Sequence, residues 1–381
     1  MWLYILVFLV VVYLYYQAKT PEQQQSYFKY AMIFLAIFVG ISDMLGGYDR
    51  YIYGDVFDQC ADYLRSGKSV FNTSLFKNYG SEFGYCWWNV LVGLITRNRY
   101  IYILLTTFLI YFLFFRAIKR NTENPMFALI IFMALTFFFS FTYLRQILGV
   151  AFAWQAVEYI GKRNLKMFSL WILVAFTFHN SAIIFFPVYF IPFRKYSVYL
   201  VDTVMVVCLL IGIWGVTANL FDTYAQVTDS STRLNMANYS VDSGFRWAYL
   251  AEAAFFYYYI RRYYDSLGND TSSLVGLNLA IAFCCILLLF LHSENGGRLG
   301  WFFMIGLFSI TTTIFSGPQR VATPTVLITA CFVLYFRIVM LWGMLLYPYK
   351  TFFTNGIRKG DRIERKFEYD RKYKKDKFYR L

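Results

Sequence analysis

The chain has 381 residues, of which 59% are hydrophobic, 22% aromatic and only 15% charged, with a mean hydropathy of +0.47. A soluble domain is about 45–50% apolar and about 25% charged, so a soluble globular enzyme is excluded, and apolar runs able to cross roughly 30 Å of hydrocarbon recur along the whole length. The formal net charge is +14, but twelve Lys and Arg against five Asp and Glu fall between Lys350 and Leu381, so membrane orientation explains the excess better than nucleic-acid binding does.

Taken in order, the chain reads as an all-α, polytopic transmembrane helical bundle of about 10–13 membrane segments. Alternating polarity in ten-residue segments, the mark of a transmembrane barrel, is missing. Residues 1–349 form the membrane domain and residues 350–381 a basic tail. Met1 to Tyr16 is apolar and aromatic without a basic leader or a cleavage site, and predicts a first span rather than a signal peptide. A second span covers about Tyr27 to Leu45. A polar stretch from Gly46 to Ser81 follows, in which Asp55, Asp58 and Asp62 recur at helical spacing. That pattern predicts a surface helix whose acidic face is solvated or binds a cation.

Phe83 to Ile95 is short for a crossing and predicts a tilted or interfacial helix. Further spans are expected over Tyr100–Phe115, Pro125–Leu144, ending at Arg145, and Ile147–Ile160. Met167 to Phe193 holds His179, Pro187 and Pro192. It is either one long span or two half-helices meeting at His179-Asn180-Ser181, as in transporters whose backbone lines a cavity. Tyr199–Val216, Phe245–Ile260, Leu274–Leu291, Leu299–Phe315 and Thr325–Leu346 complete the set, with a polar loop over 217–243. The basic groups at Arg116–Arg120, Lys162–Lys166, Arg194-Lys195 and Arg261-Arg262 are the natural cytoplasmic ends. They place Arg145, the loop around Asp49, the loop around Thr228 and the His292–Arg298 turn together on the opposite side. The side of the tail stays open, because a single final span puts it outside, against the same rule.

No P-loop, dinucleotide glycine run, HExxH or GxSxG is present. The six cysteines have no metal-ligand spacing, and two histidines make no metal site, so no cofactor or metal is expected. Cys60 and Cys86 are either two separate thiols or a pair. What remains for chemistry is arginine, histidine, carboxylate and tyrosine at helix ends. A charge at membrane depth is costly and marks a site by default. Arg145 and Arg298 have the fork geometry that suits phosphate; the alternatives are that Arg145 caps a helix C-terminus and Arg298 snorkels to an interface. His179 is a general base or a buried structural histidine. His292 and Glu294 lie in a Gly-rich turn where backbone can approach a ligand, or Glu294 simply pairs with Arg298 four residues on. Asp49 suits sugar hydroxyls or is an ordinary turn aspartate.

Four elements carry a resemblance. Gly47, Asp49 and Tyr53 match G-x-D-x-x-x-Y. Glu82, Gly84 and Tyr85 match E-x-G-Y. Leu144, Arg145 and Gln146 are followed by a helix, the GKRNLK turn and Phe178, His179 and Ser181. Arg298 opens a late span. In this order and spacing the chain resembles the EpsG family of bacterial membrane proteins, within the wider Wzy-like O-antigen and exopolysaccharide polymerases. It departs from the family at Ser42-Asp43, where an arginine is usual; Arg50 is a candidate substitute.

The resemblance implies a metal-independent polymerase with C-type glycosyltransferase-like architecture, in the bacterial inner membrane with its site facing the periplasm or cell exterior. The donor would be a polyprenyl-diphosphate-linked oligosaccharide and the acceptor a second lipid-linked repeat unit. Membrane lipid, a chain-length regulator and a flippase are the implied partners. In that chemistry Arg145 and Arg298, with Gln146 beside them, face the diphosphate. His179 is the preferred base, with Asp49 and Glu294 behind it. Tyr53, Tyr85 and His292 contact sugar or diphosphate, and the tyrosines around Tyr48, Tyr51 and Tyr53 stack on sugar faces. A flippase of the same lipids is the main alternative, although it would more often show an internal repeat. A surface-glycan ligase or acyltransferase is the other.

Overall fold

Short polar caps set the starts of six of the helices. Thr20 and Gln23 form a reciprocal capping box ahead of Pro21, and Asn98, Asn124, Asn164, Ser197 and Asp270 each accept a backbone N–H at the next helix entrance. The structure, a computed structural model, describes residues 1–217, 244–293, 295–317 and 321–381. Among the described residues the regular structure is helical.

Helices α1 (Trp2–Gln17) and α2 (Pro21–Gly40) are followed by α3 (Tyr48–Arg65), α4 (Ser74–Tyr79) and α5 (Phe83–Ile95). Then come α6 (Arg99–Asn121), α7 (Pro125–Leu135), α8 (Leu144–Ala153), α9 (Val157–Gly161), α10 (Leu165–Phe178) and α11 (Val198–Ile213). After the loop run α12 (Trp247–Arg262), α13 (Thr271–Leu289), α14 (Asn295–Gly300), α15 (Met304–Ser316) and α16 (Pro324–Leu341). Three of these, α6, α13 and α16, are long and apolar enough to cross a membrane, and seven shorter apolar segments accompany them. The chain is thus a polytopic helical bundle. Every residue of α7 is buried; it stands at the centre, packed by α1, α2, α15 and α16.

The two ends of the bundle differ. At the basal end Tyr15 and Asn124 both bond Ser316 Oγ, at 3.0 and 2.8 Å. Arg120 pairs with Glu158 at 2.5 Å, and Lys195 donates to Leu267 O at 2.7 Å. The basic groups expected to share one side gather here.

The other end carries α3 and, lying on it, the tail. The tail is pinned to the end of α2 by an antiparallel bridge between Ser42 and Thr351, and Tyr349 stacks on Phe38 with ring centroids 4.4 Å apart. Lys350 and Lys377 both approach Asp43, at 3.4 and 3.1 Å. Arg380 reaches Asp62 at 2.5 Å, and Tyr373 donates to Asp58 at 3.2 Å. Arg99, at the start of α6, is 2% exposed and joins Asp58, Asp55 and Glu368 at 2.6, 2.7 and 3.3 Å. The acidic face of α3 is therefore ion-paired along its length, with Asp58 buried and Asp55 and Asp62 partly exposed. Arg99 and Arg97 supply part of the compensating charge and the basic tail, through Arg380, the rest. The tail lies at the end opposite the basal arginines, where the turn after His292 also sits.

Two further expectations change. The span from Pro125 does not run on to Leu144; α7 stops at Leu135 and a 3₁₀ turn, Phe137–Phe141, leads into α8. No Pro or Gly marks this break. Arg145 is consequently the second residue of α8, at a helix N-terminus, and does not cap a C-terminus. Arg50 is no substitute for the missing family arginine: it is fully buried and donates to Ser42 Oγ at 2.5 Å, Val39 O at 3.0 Å and Leu45 O at 3.1 Å. Those bonds close the turn that Gly46 and Gly47 make at φ 106° and 114°. A Cβ on Gly46 would stand 2.7 Å from Phe141 Cβ, so glycine is required there on both counts.

Candidate functional site

The stretch after α10 breaks the span in two. α10 ends at Phe178, His179 adopts extended backbone at φ −157°, and Asn180–Phe190 returns as a 3₁₀ helix. Of the two arrangements the sequence allowed, the half-helix pair is the one present. The turn is set close to α8: a Cβ on Gly149 would lie 3.1 Å from His179 Cβ.

Arg145 projects from the first turn of α8 toward this hinge. A guanidinium at the positive end of a helix dipole needs an anion. Glu82, at the start of α5, provides it through a direct ion pair with Arg145 Nη1. The other Glu82 oxygen accepts the Asn180 N–H at 3.2 Å. One carboxylate thus ties α8 to the backbone just past His179. Tyr79 lies 4.2 Å under the Arg145 guanidinium, with Tyr53 and Tyr85 each at 5.8 Å. Gly84 allows this packing, since a Cβ there would meet Thr177 Oγ1 at 2.2 Å. The E-x-G-Y element is one physical unit: anion, close approach, ring.

Gln146, nearly buried, donates from Nε2 to Arg298 O at 3.3 Å and toward Ser181 Oγ at 3.5 Å. It bridges α14 to the hinge. The Arg298 guanidinium lies 4.3 Å from the Tyr143 ring. Among the described residues no carboxylate is within ion-pair distance of it. His179 Nδ1 is 2.6 Å from Ser181 Oγ and 3.3 Å from the Ser181 backbone N. A backbone N–H can only donate, so Nδ1 is the acceptor and the neutral ring carries its proton on Nε2.

Asp49 stands in the first turn of α3, half-buried. Burial pushes its carboxyl up, against the opposing charges of Arg298 and Arg145. The same two guanidiniums bear on the His179 ring. Asp49, Arg145, Gln146, His179 and Arg298 therefore share one electrostatic neighbourhood, although they come from four separate stretches of chain.

Other candidates are placed differently. Tyr85 is fully buried and shares a hydrogen bond with Tyr102 at 3.1 Å, and Tyr53 is 5% exposed; both back Arg145 from inside the fold. Tyr51 is fully buried, and Tyr48, exposed, packs on Phe367 of the tail with ring centroids 4.8 Å apart. His292 packs edge-on against Phe245, with centroids 5.4 Å apart. Glu294 and the loop around Thr228 lie outside the described residues. Cys60 and Cys86 are separate buried thiols.

Glu82, Ser181 and Tyr143 join the site beyond the candidate site residues, although Glu82 and Ser181 had already carried the resemblance in the E-x-G-Y element and beside His179. Tyr143 had no such signal among thirty-four tyrosines.

The chain belongs to the EpsG family, whose model matches residues 27–351. It is thereby a multi-pass membrane protein of exopolysaccharide biosynthesis. No curated protein and no solved structure matches the chain.

Proposed function

We propose that this protein is a membrane glycosyltransferase that polymerises polyprenyl-diphosphate-linked oligosaccharide repeat units into O-antigen, capsule or exopolysaccharide. The basal arginines and lysines face the cytoplasm in this reading, and the hinge end faces the periplasm or cell exterior. The observation that carries it is the convergence of Arg298, Asp49 and His179 beside the Arg145–Glu82 pair.

The leaving group is a lipid diphosphate, whose developing charge needs fixed cations in a site of low dielectric. Arg298, with no carboxylate on it among the described residues, is the first choice for that role. Arg145 is already neutralised by Glu82 and serves chiefly to hold the hinge, adding its field to the site. The acceptor hydroxyl needs a base within reach. His179 carries its proton on Nε2 and so donates to a sugar or phosphate oxygen. Asp49, a half-buried carboxylate without a direct ion pair among the described residues, takes the base role.

Purified protein incubated with lipid-linked repeat units tests the reading, with products separated by size. Long chains are expected from the wild type and none from Arg298→Ala. In cells, the same variant leaves single repeat units on the outer leaflet. Units held on the cytoplasmic leaflet would make the protein a flippase, and unchanged chain length in the variant would remove Arg298 from the chemistry.

A further inference from the structure

The tail sorts its charges by face. Asp361, Glu364 and Glu368 turn inward and are buried, while every exposed residue from 362 to 375 is a lysine or an arginine except Tyr369. The short helix Arg362–Phe367 shows the sorting within one turn: Arg362, Arg365 and Lys366 lie outside and Glu364 inside. The cations that fasten the tail are a different set, Lys350 and Lys377 on Asp43 and Arg380 on Asp62. Among the described residues, no carboxylate stands within ion-pair distance of the outward set. Like charges gathered on one face repel. Lysine and arginine also collect on the cytoplasmic side of membrane proteins, and this face lies at the end opposite the basal arginines. Fastening the tail does not account for it.

Two exposed rings connect this face to the candidate site. Tyr48 stands beside Asp49 in the first turn of α3 and packs on Phe367 of the tail helix. Tyr369, two residues on, is exposed like Tyr48, and the two hydroxyls bear on one another. Resting on the polymerase reading, we infer that the outward face of the tail is a docking strip for the glycan, and that the repeat unit is acidic, carrying anionic substituents on its sugars. Arginine forks suit such oxygens, and a tyrosine offers a sugar ring an apolar face with a polar tip. The strip starts next to the candidate base and leads away from it along the tail, so it holds the sugars that adjoin the reacting one. A lipid surface is the poorer fit. An interfacial helix turns its apolar side to the membrane, whereas Ile363 and Phe367 pack inward against the core.

The test uses the full chain in phosphatidylcholine nanodiscs, titrated with fluorescent hexagalacturonate, with maltohexaose as the neutral sugar and hexaglutamate as the anion without sugar. Hexagalacturonate is expected to bind at least about tenfold more tightly than either, and more weakly as salt rises from about 50 to about 300 mM. The combined variant Arg362→Ser, Arg365→Ser and Lys366→Ser should lose about tenfold in affinity, the sum of several exposed charge contacts, at an unchanged melting temperature. Tyr369→Ala should narrow the preference for hexagalacturonate over hexaglutamate. Equal binding of hexaglutamate would reduce the strip to an unspecific cationic face and overturn the inference. So would full binding in the triple variant, or displacement of hexagalacturonate by phosphatidylglycerol vesicles at equal anionic charge. If the triple variant does not fold, the wild-type ranking of the three ligands decides alone. Polymerisation of lipid-linked units without hexagalacturonate binding removes the strip and keeps the polymerase; binding without polymerisation does the reverse.

Discussion

Two charged clusters share one end of the bundle, and they are built on opposite plans. In the tail cluster most strong charges are matched, the exception being Glu364, fully buried with no hydrogen-bond partner on either oxygen. Arg99 has three carboxylates, Asp43 has two lysines, and Asp58 has Arg99, Arg380 and Tyr373. In the hinge cluster the matching stops short. Arg145 has Glu82, but among the described residues Arg298 and Asp49 have no direct ionic partner. Burying a charge is costly unless it is paired, so matched charges are affordable anywhere in a fold. Unmatched ones persist where something else is meant to complete them. The contrast separates a fastening from a site using groups of the same chemical kind.

The comparison breaks most readily at Arg99. Removing one member of a buried ionic cluster typically costs about 3–5 kcal/mol, because the partners are left uncompensated. Arg99→Ala should lower the melting temperature sharply in detergent, and a melting curve unchanged from wild type would show the tail cluster to be dispensable. Arg298→Ala should do the reverse, leaving the melting curve alone while polymer formation falls about 10²–10³-fold, the usual cost of removing one preorganised charge stabiliser. Asp49→Asn should lower turnover by about 10²-fold, as expected for loss of a general base, and His179→Ala by less. If the histidine variant proves the more damaged, measured on the same lipid-linked substrate, the two roles are exchanged.

The smallest effect is a pH dependence of tail docking. Burial pushes the Glu368 carboxyl up to about 7, against the pull of Arg99. A carboxyl raised above its unfolded value favours the docked state most at low pH, and that contribution is lost as pH rises through about 7. Resistance of the tail to protease should therefore decline from pH 5 to pH 8, at no more than about 1.4 kcal/mol per unit for one proton. Glu368→Gln should flatten the decline, and an equal slope in that variant would assign it to another group.

Much of this was legible in the sequence. The helices fell on the apolar runs, while the caps Thr20, Asn98 and Asp270 begin them a few residues earlier than those runs indicate. The break at His179 was visible as a polar triplet between apolar halves. The shared location of Asp49, Arg145 and Arg298 followed from counting crossings against the basic groups. What escaped depends on partners far apart in the chain. Nothing near Asp58 and Asp62 announces that Tyr373 and Arg380, more than three hundred positions later, will bond them. The direction of the helix at Arg145 was hidden too, since the 3₁₀ turn before it is a run of phenylalanines with no Pro or Gly to mark the stop. Arg50 illustrates the converse error. Chemically it suits a phosphate, and only its full burial, with both terminal nitrogens bonded to Ser42, Leu45 and Val39, shows that it is out of reach of one.

The chain closes on itself from its two extremes. Tyr4 donates to Leu346 O at 2.7 Å, and Tyr335 donates to Tyr4 O at 2.8 Å. During synthesis, α1 is made first, and its lasting neighbours around Leu346 leave the ribosome some 340 residues later. Asp43 waits almost as long for Lys377, and Arg99 waits 269 residues for Glu368. The floor beneath Asp49 is thus completed only when the last residues arrive, so a chain interrupted late would carry all its membrane segments and still lack a finished site. A size-matched truncation at Tyr349 gives that state, in which insertion and competence come apart in time.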